Sequence, residues 1–226
     1  VRTLNPAFEY DIVVHDRRIA IEFNGLYWHS EAQKPGTDYH LRKSRGTDYQ
    51  VIHVWEDDWR DRRTIVEAML RHKLGVSDGP RYNARELSFR ELTATQARSF
   101  LGDNHIQGFA SGAWYGALSR NETVCAVMVM KHRKSAGEWE LTRYATAGVV
   151  RGGHSKLLTL FRRQHDPRSI VTFSDNGVSD GGLYKSCWFT YDGDLQPDYM
   201  YVVADRREHK FNFRKSRFEC DPSLRF

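Results

Sequence analysis

The sequence predicts a two-part α/β chain. Three observations lead there. Glu9–Val14 and Ile19–His29 are alternating, β-branched runs on either side of the short charged segment His15–Arg18, the pattern of a hairpin. An apolar run, Val51–Trp55, and a helical apolar stripe follow, and Gly75–Pro80 punctuates what comes after. From Arg81 onward short strand patterns alternate with helix patterns, the signature of a second layered unit. The expected boundaries are 1–75 for the first domain, 76–82 for a linker, 83–218 for the second domain and 219–226 for a tail.

The elements can be justified in order. A two- or four-residue loop between the first two strands sets Ile19 opposite Val14 and Glu22 opposite Asp11; a three-residue loop would put the two acids on opposite faces. Ser30–Tyr39, with Pro35-Gly36, reads as a surface loop, and Tyr39–Lys43 opens a short helix. Val51–Trp55 is a buried strand. Asp58 is the expected N-cap of one helix through Leu74, striped by Trp59, Ile65, Val66, Met69, Leu70 and Leu74. The opposite face carries Arg60, Arg62, Arg63, Arg71, His72 and Lys73, either as a solvated face or as a phosphate-contacting one.

In the second part Leu87–Leu92 alternates as a strand, and Thr93-Ala94-Thr95-Gln96 has the form of a capping box. Trp114–Leu118 and Val124–Lys131 read as a hairpin across Arg120-Asn121-Glu122, with Trp139–Tyr144 a third strand. Arg151-Gly152-Gly153-His154-Ser155 is a glycine turn feeding a helix over Lys156–Arg163, a place where backbone N–H groups hold an anion. Ile170–Phe173 and Tyr199–Val203 are strands, and Leu183–Trp188 a short helix. Residues 206–218 interleave basic side chains with phenylalanines; Lys210, Arg214 and Lys215 either form a solvated face or contact a nucleic-acid backbone.

Composition narrows the classes. The net charge of +5 suits a polyanionic partner. Cys125, Cys187 and Cys220 are far apart and form no CxxC pair, which argues against a disulfide framework or a cysteine zinc site and for a reducing, cytoplasmic compartment. No run approaches the roughly 20 apolar residues of a membrane span. The first residues do not read as a signal peptide.

The chemistry centres on the hairpin. Side chains opposite one another on a sheet face sit about 5 Å apart, so Asp11 and Glu22 must share a proton or a cation. Carboxylates with open positions for phosphate oxygens suit Mg2+, or Mn2+, and such an ion lowers the pKa of a bound water. Asp11 is the expected central ligand and Glu22 the second. His29 follows closely as general acid or base. Tyr27 and Trp28 either stack on bases or pack in the core. Lys43 would neutralise a phosphate, with His40, Asn24 and Glu56 in reserve. Arg60 and Arg63 extend the surface for double-stranded DNA.

The stretch from Asp11 to His29 resembles the very-short-patch-repair (Vsr) endonucleases and related phage and intron homing endonucleases. The residues that carry the resemblance are Asp11, Glu22 and Tyr27-Trp28-His29, then Tyr39-His40-Leu41-Arg42-Lys43, then Val51–Trp59. It implies a Vsr-like, restriction-endonuclease-like PD-(D/E)xK mixed-sheet domain that binds magnesium and DNA. The family carries a helix ahead of its first strand, so the sequence is expected to lack that helix. Asn24 stands where the usual lysine would be, which would pass its work to Lys43 or a histidine.

The second part resembles the acyl-CoA-binding core of the GNAT acetyltransferases, through the Arg151–Ser155 turn and through Asn176, Leu183-Tyr184 and Trp188-Phe189. Ser155 departs from the family's last small residue, and Trp188 from its glycine. The leading expectation is a magnesium-dependent DNA endonuclease of a phage or mobile intron. The alternatives are an acyltransferase acting on nucleic acid or protein, with acetyl-CoA as donor, and a DNA-binding protein whose nuclease site has decayed.

Overall fold

The computed structural model describes residues 3–5, 7–27 and 38–214. It is a mixed α/β chain with several separate sheets. The chain divides into two compact units: 1–62, 176–180 and 190–226 form the first, and 63–175 with 181–189 the second.

The first unit opens with a small antiparallel pair, β1 (Thr3–Asn5) and β2 (Phe8–Glu9). The expected hairpin follows as β3 (Ile12–Val14) and β4 (Ile19–Asn24). Val14 pairs with Ile19, Val13 with Ala20 and Ile12 with Ile21, which is the four-residue-loop register. Arg18 closes that loop in the left-handed region at φ 52°. Next come α1 (Tyr39–Arg45) and β5 (Gln50–Trp55), which lies parallel to β4. Tyr10, Ala20 and Val51 form the buried centre of this layer. The backbone N–H of His53 is satisfied by the Gly177 carbonyl at 2.7 Å, which ties 176–180 to this unit.

The single helix expected from Asp58 to Leu74 is two helices, α2 (Glu56–Asp61) and α3 (Arg63–Lys73), broken at Arg62. Asp58 is not the N-cap; Trp55 holds that position without a side-chain bond. The Asp58 carboxylate is instead bound to Arg207, 149 residues away, a pairing that local sequence cannot announce.

The second unit begins with α3. A short parallel pair follows, β6 (Arg81–Asn83) with β11. β7 (Ser88–Glu91) then leads into α4 (Ala94–Asn104) through the expected box: the Thr93 side chain accepts from the Gln96 N–H, and the Gln96 side chain accepts from the Thr93 N–H. β8 (Trp114–Arg120), β9 (Thr123–His132) and β10 (Glu138–Thr146) form antiparallel neighbours, and β11 (Val149–Arg151) feeds α5 (Gly153–His165). β12 (Ser169–Thr172) and α6 (Gly182–Ser186) complete the unit. The five-stranded sheet runs β12-β10-β9-β8-β7, with β12 parallel to β10. Trp114, Met128, Met130, Trp139, Leu157 and Phe161 fill the space between sheet and α5, a burial worth about 2 kcal/mol per large side chain.

The first unit ends in a hairpin, β13 (Met200–Val203) and β14 (Arg206–His209), joined across Ala204-Asp205. The Arg207 guanidinium binds Asp57 at 2.8 Å and also Asp58, over the Trp55 ring.

Trp188 holds φ 68° while 94% exposed. A left-handed backbone costs a side-chain-bearing residue roughly 1–2 kcal/mol. Trp188→Gly is therefore expected to stabilise the protein by about 1 kcal/mol, read as a higher urea midpoint at unchanged slope.

Candidate functional site

The hairpin brings Asp11 and Glu22 together, but not around an ion. The Asp11 carboxylate accepts the backbone N–H of Phe23 at 2.8 Å, and Glu22 Oε1 accepts that of Asp11 at 3.2 Å. The two acids close the last rung of the ladder for each other. The remaining Glu22 oxygen, Oε2, takes the Lys43 ammonium at 2.5 Å, with both side chains buried. The cation that a paired carboxylate demands is supplied by α1. Burial pushes the Glu22 carboxyl above its ordinary range, against the pull of Lys43.

The other expected site residues spread out. Asn24 is fully buried, its Nδ2 3.1 Å from His53 Nδ1, while His53 Nε2 meets Ser44 Oγ at 2.8 Å. His40 packs against the His53 and Trp55 rings. Glu56 accepts the Leu26 N–H. Tyr27 is exposed. Arg60 pairs with Asp61 and Asp205, Arg63 with Glu67, and Lys210 with Asp198. Arg214 lies over the Phe211 ring. Trp28, His29 and Lys215 lie outside the described residues.

The second unit builds a different site. β12 pairs with β10 only as far as Leu141↔Thr172, and β10 bulges between Leu141 and Arg143 before running on to Thr146. Its last residues therefore have no β12 partner beside them. Arg143, just past the bulge, is fixed by its Nε donating to the Gly108 carbonyl at 3.1 Å. Beyond β11 the chain turns at Gly152, φ 73°, into α5. Gly153 must lack a side chain: a Cβ there would meet the Tyr144 hydroxyl at 2.7 Å and Val150 at 2.8 Å.

An open cleft of about 680 Å3 lies at the start of α5, lined by Asn83, Ala84, Arg85, Arg151, Gly152 and Lys156. Three of these six carry positive charge, and α5 has no side-chain N-cap. Lys156 is held there by donating to the Ala84 and Leu87 carbonyls at 2.9 and 2.7 Å. Cations around uncapped N–H groups bind anions.

Behind the turn, His154 Nδ1 lies 3.1 Å from Cys187 Sγ. The imidazole is packed edge-on against Tyr144 and Tyr184. Burial pushes His154 down to about 4 and pushes Tyr144 above its ordinary value. The sequence reading missed this pair. His154 and Cys187 are 33 residues apart, and a lone cysteine carries no motif.

No family model matches the chain, and no curated protein matches it. Among solved structures it is similar to an aminoglycoside acetyltransferase from an uncultured soil metagenomic sample. The complex with trehalose is 12% identical and the complex with sisomicin 11%, each with TM-score 0.38. Each alignment covers 53% of this chain and 98% of the other.

The endonuclease expectation is corrected, together with the hydrolase class and magnesium as principal cofactor, by what surrounds the two acids. Among the described residues no group of three or more His, Cys, Asp or Glu side chains could hold a metal ion. Lys43 holds the position that the ion was expected to take against Glu22. The Vsr-like resemblance of residues 11–59 finds no support in the comparisons. Among the described residues no helix is long and apolar enough to cross a membrane.

Proposed function

We propose that the second unit is an acyltransferase whose donor is an acyl thioester carried on a nucleotide pyrophosphate, of the acetyl-CoA kind. The observation that carries this reading is the cationic cleft at the start of α5, with Arg85, Arg151 and Lys156 around the Gly152-Gly153 turn. A pyrophosphate needs several fixed donors and no bulk at the turn, and these residues fit that need. The bulge in β10 and the early end of β12 open the sheet edge beside it, where an extended pantetheine-like arm finds unpaired backbone groups. The donor supplies an activated acyl group; the protein binds its anionic end, orients it and screens it from water. The net charge of +5 favours an acidic acceptor, such as nucleic acid.

Calorimetry with acetyl-CoA tests this. Wild-type protein is expected to bind, and Arg151→Glu to bind roughly tenfold to a hundredfold more weakly, the loss of one or two charge-assisted contacts. Arg63→Glu, outside the cleft, should leave affinity unchanged. Equal affinity of wild type and Arg151→Glu, or no binding by either, would remove the reading.

A further inference from the structure

A thiol set against an imidazole lies behind the cleft turn. Cys187 Sγ is 3.1 Å from His154 Nδ1, 3.4 Å from Ser155 Oγ and 3.9 Å from Ser186 Oγ. The thiol is half-buried and Ser155 beside it is exposed, so a small electrophile has access. His154 itself is 3% exposed, and its second ring nitrogen, Nε2, is buried without a hydrogen-bond partner. Buried polar atoms in folded proteins are nearly always satisfied, and one that is not asks for an explanation. A neutral imidazole with its hydrogen on Nε2 turns the Nδ1 lone pair toward the sulfur.

We propose that Cys187 is a nucleophilic thiol that accepts an acyl group from a thioester or activated ester, with His154 as the base that takes its proton. The Cys187 S–H proton passes to His154 Nδ1 and the sulfur attacks the acyl carbonyl. The bond from that carbonyl to the departing thiolate or phenolate breaks, and the leaving group recovers the proton from His154. Atoms and charge balance, and no oxidant or reductant is needed. With acetyl-CoA as the natural donor the step rests on the function proposed above; with a simple ester it does not. The activation is that of a neutral base rather than of a standing ion pair, because burial keeps His154 uncharged above about pH 4. The groups around the sulfur fit this. Tyr144 on β10 is held neutral, Ser155 and Ser186 carry no charge, and Tyr184 packs edge-on to the imidazole. Lys185 on α6 is exposed.

The test uses the full chain and p-nitrophenyl acetate. The expected result is a burst of one equivalent of p-nitrophenolate and an acetyl group mapped by peptide mass to Cys187, removed by neutral hydroxylamine. Cys187→Ser abolishes the burst, and His154→Gln slows it by roughly a hundredfold or more. The wild-type acylation rate has its acid limb near pH 4, where His154 titrates; in His154→Gln that limb is absent. The wild-type pH profile answers the same question should His154→Gln not fold. No burst from natively folded protein, or acetyl found on Cys220 alone, overturns the proposal, as does a limb near pH 4 that persists in His154→Gln. Calorimetry separates the two readings. Binding of acetyl-CoA without acylation of Cys187 by the ester removes this inference and leaves the acyltransferase; acylation without acetyl-CoA binding does the reverse.

Discussion

Lys43→Met is expected to destabilise the first unit by about 3 kcal/mol at neutral pH, measured by urea denaturation, because it strands a buried carboxylate. Lys43 and Glu22 are 8% and 4% exposed at their side chains, so water does not screen the pair. The double variant Lys43→Met/Glu22→Gln should recover most of the loss, since two uncharged groups have no unpaired charge to desolvate. The pH dependence follows from the raised Glu22 carboxyl. Without Lys43 its folded-state pKa rises further above the unfolded value. The folded protein then holds the extra proton, and stability is present in acid and lost as pH climbs through the raised value. A single-variant loss below about 1 kcal/mol would mean that the pair contributes no more than an exposed ion pair does.

The second large effect belongs to His154. Its folded-state value of about 4 lies below the ordinary 6.5. On acidification the unfolded chain takes up the proton first. The stability is present above pH 6.5 and is lost as pH falls toward 4, by about 3 kcal/mol in all. His154→Gln removes this loss. Comparing urea midpoints of wild type and variant at pH 7 and pH 4.5 isolates it, because Glu22 titrates in both proteins. Parallel curves for the two would place His154 in contact with water.

Local order was legible in the sequence and long-range pairing was not. The β3–β4 register could be read because alternation and loop length over sixteen residues, 9 to 24, leave few choices. The Thr93/Gln96 box was legible because its partners are three residues apart. The glycine turn before α5 was legible because only glycine fits so near Tyr144. The break at Arg62 was hidden: the apolar stripe continues across it, and the Asp58–Arg207 bond spans 149 residues. The endonuclease reading failed for a related reason. Two facing acids do demand a cation, but the sequence could not say that a lysine side chain from α1 would serve.

The division of the chain into interrupted segments bears on how the protein comes off the ribosome. The second unit is complete once Phe189 has emerged, whereas the first draws on strands beyond residue 199. The opening hairpin must therefore wait, unfinished, while its later neighbour closes. A nick near residue 75 would release no autonomous half, and any truncation before β14 deprives Asp57 and Asp58 of the guanidinium that neutralises them.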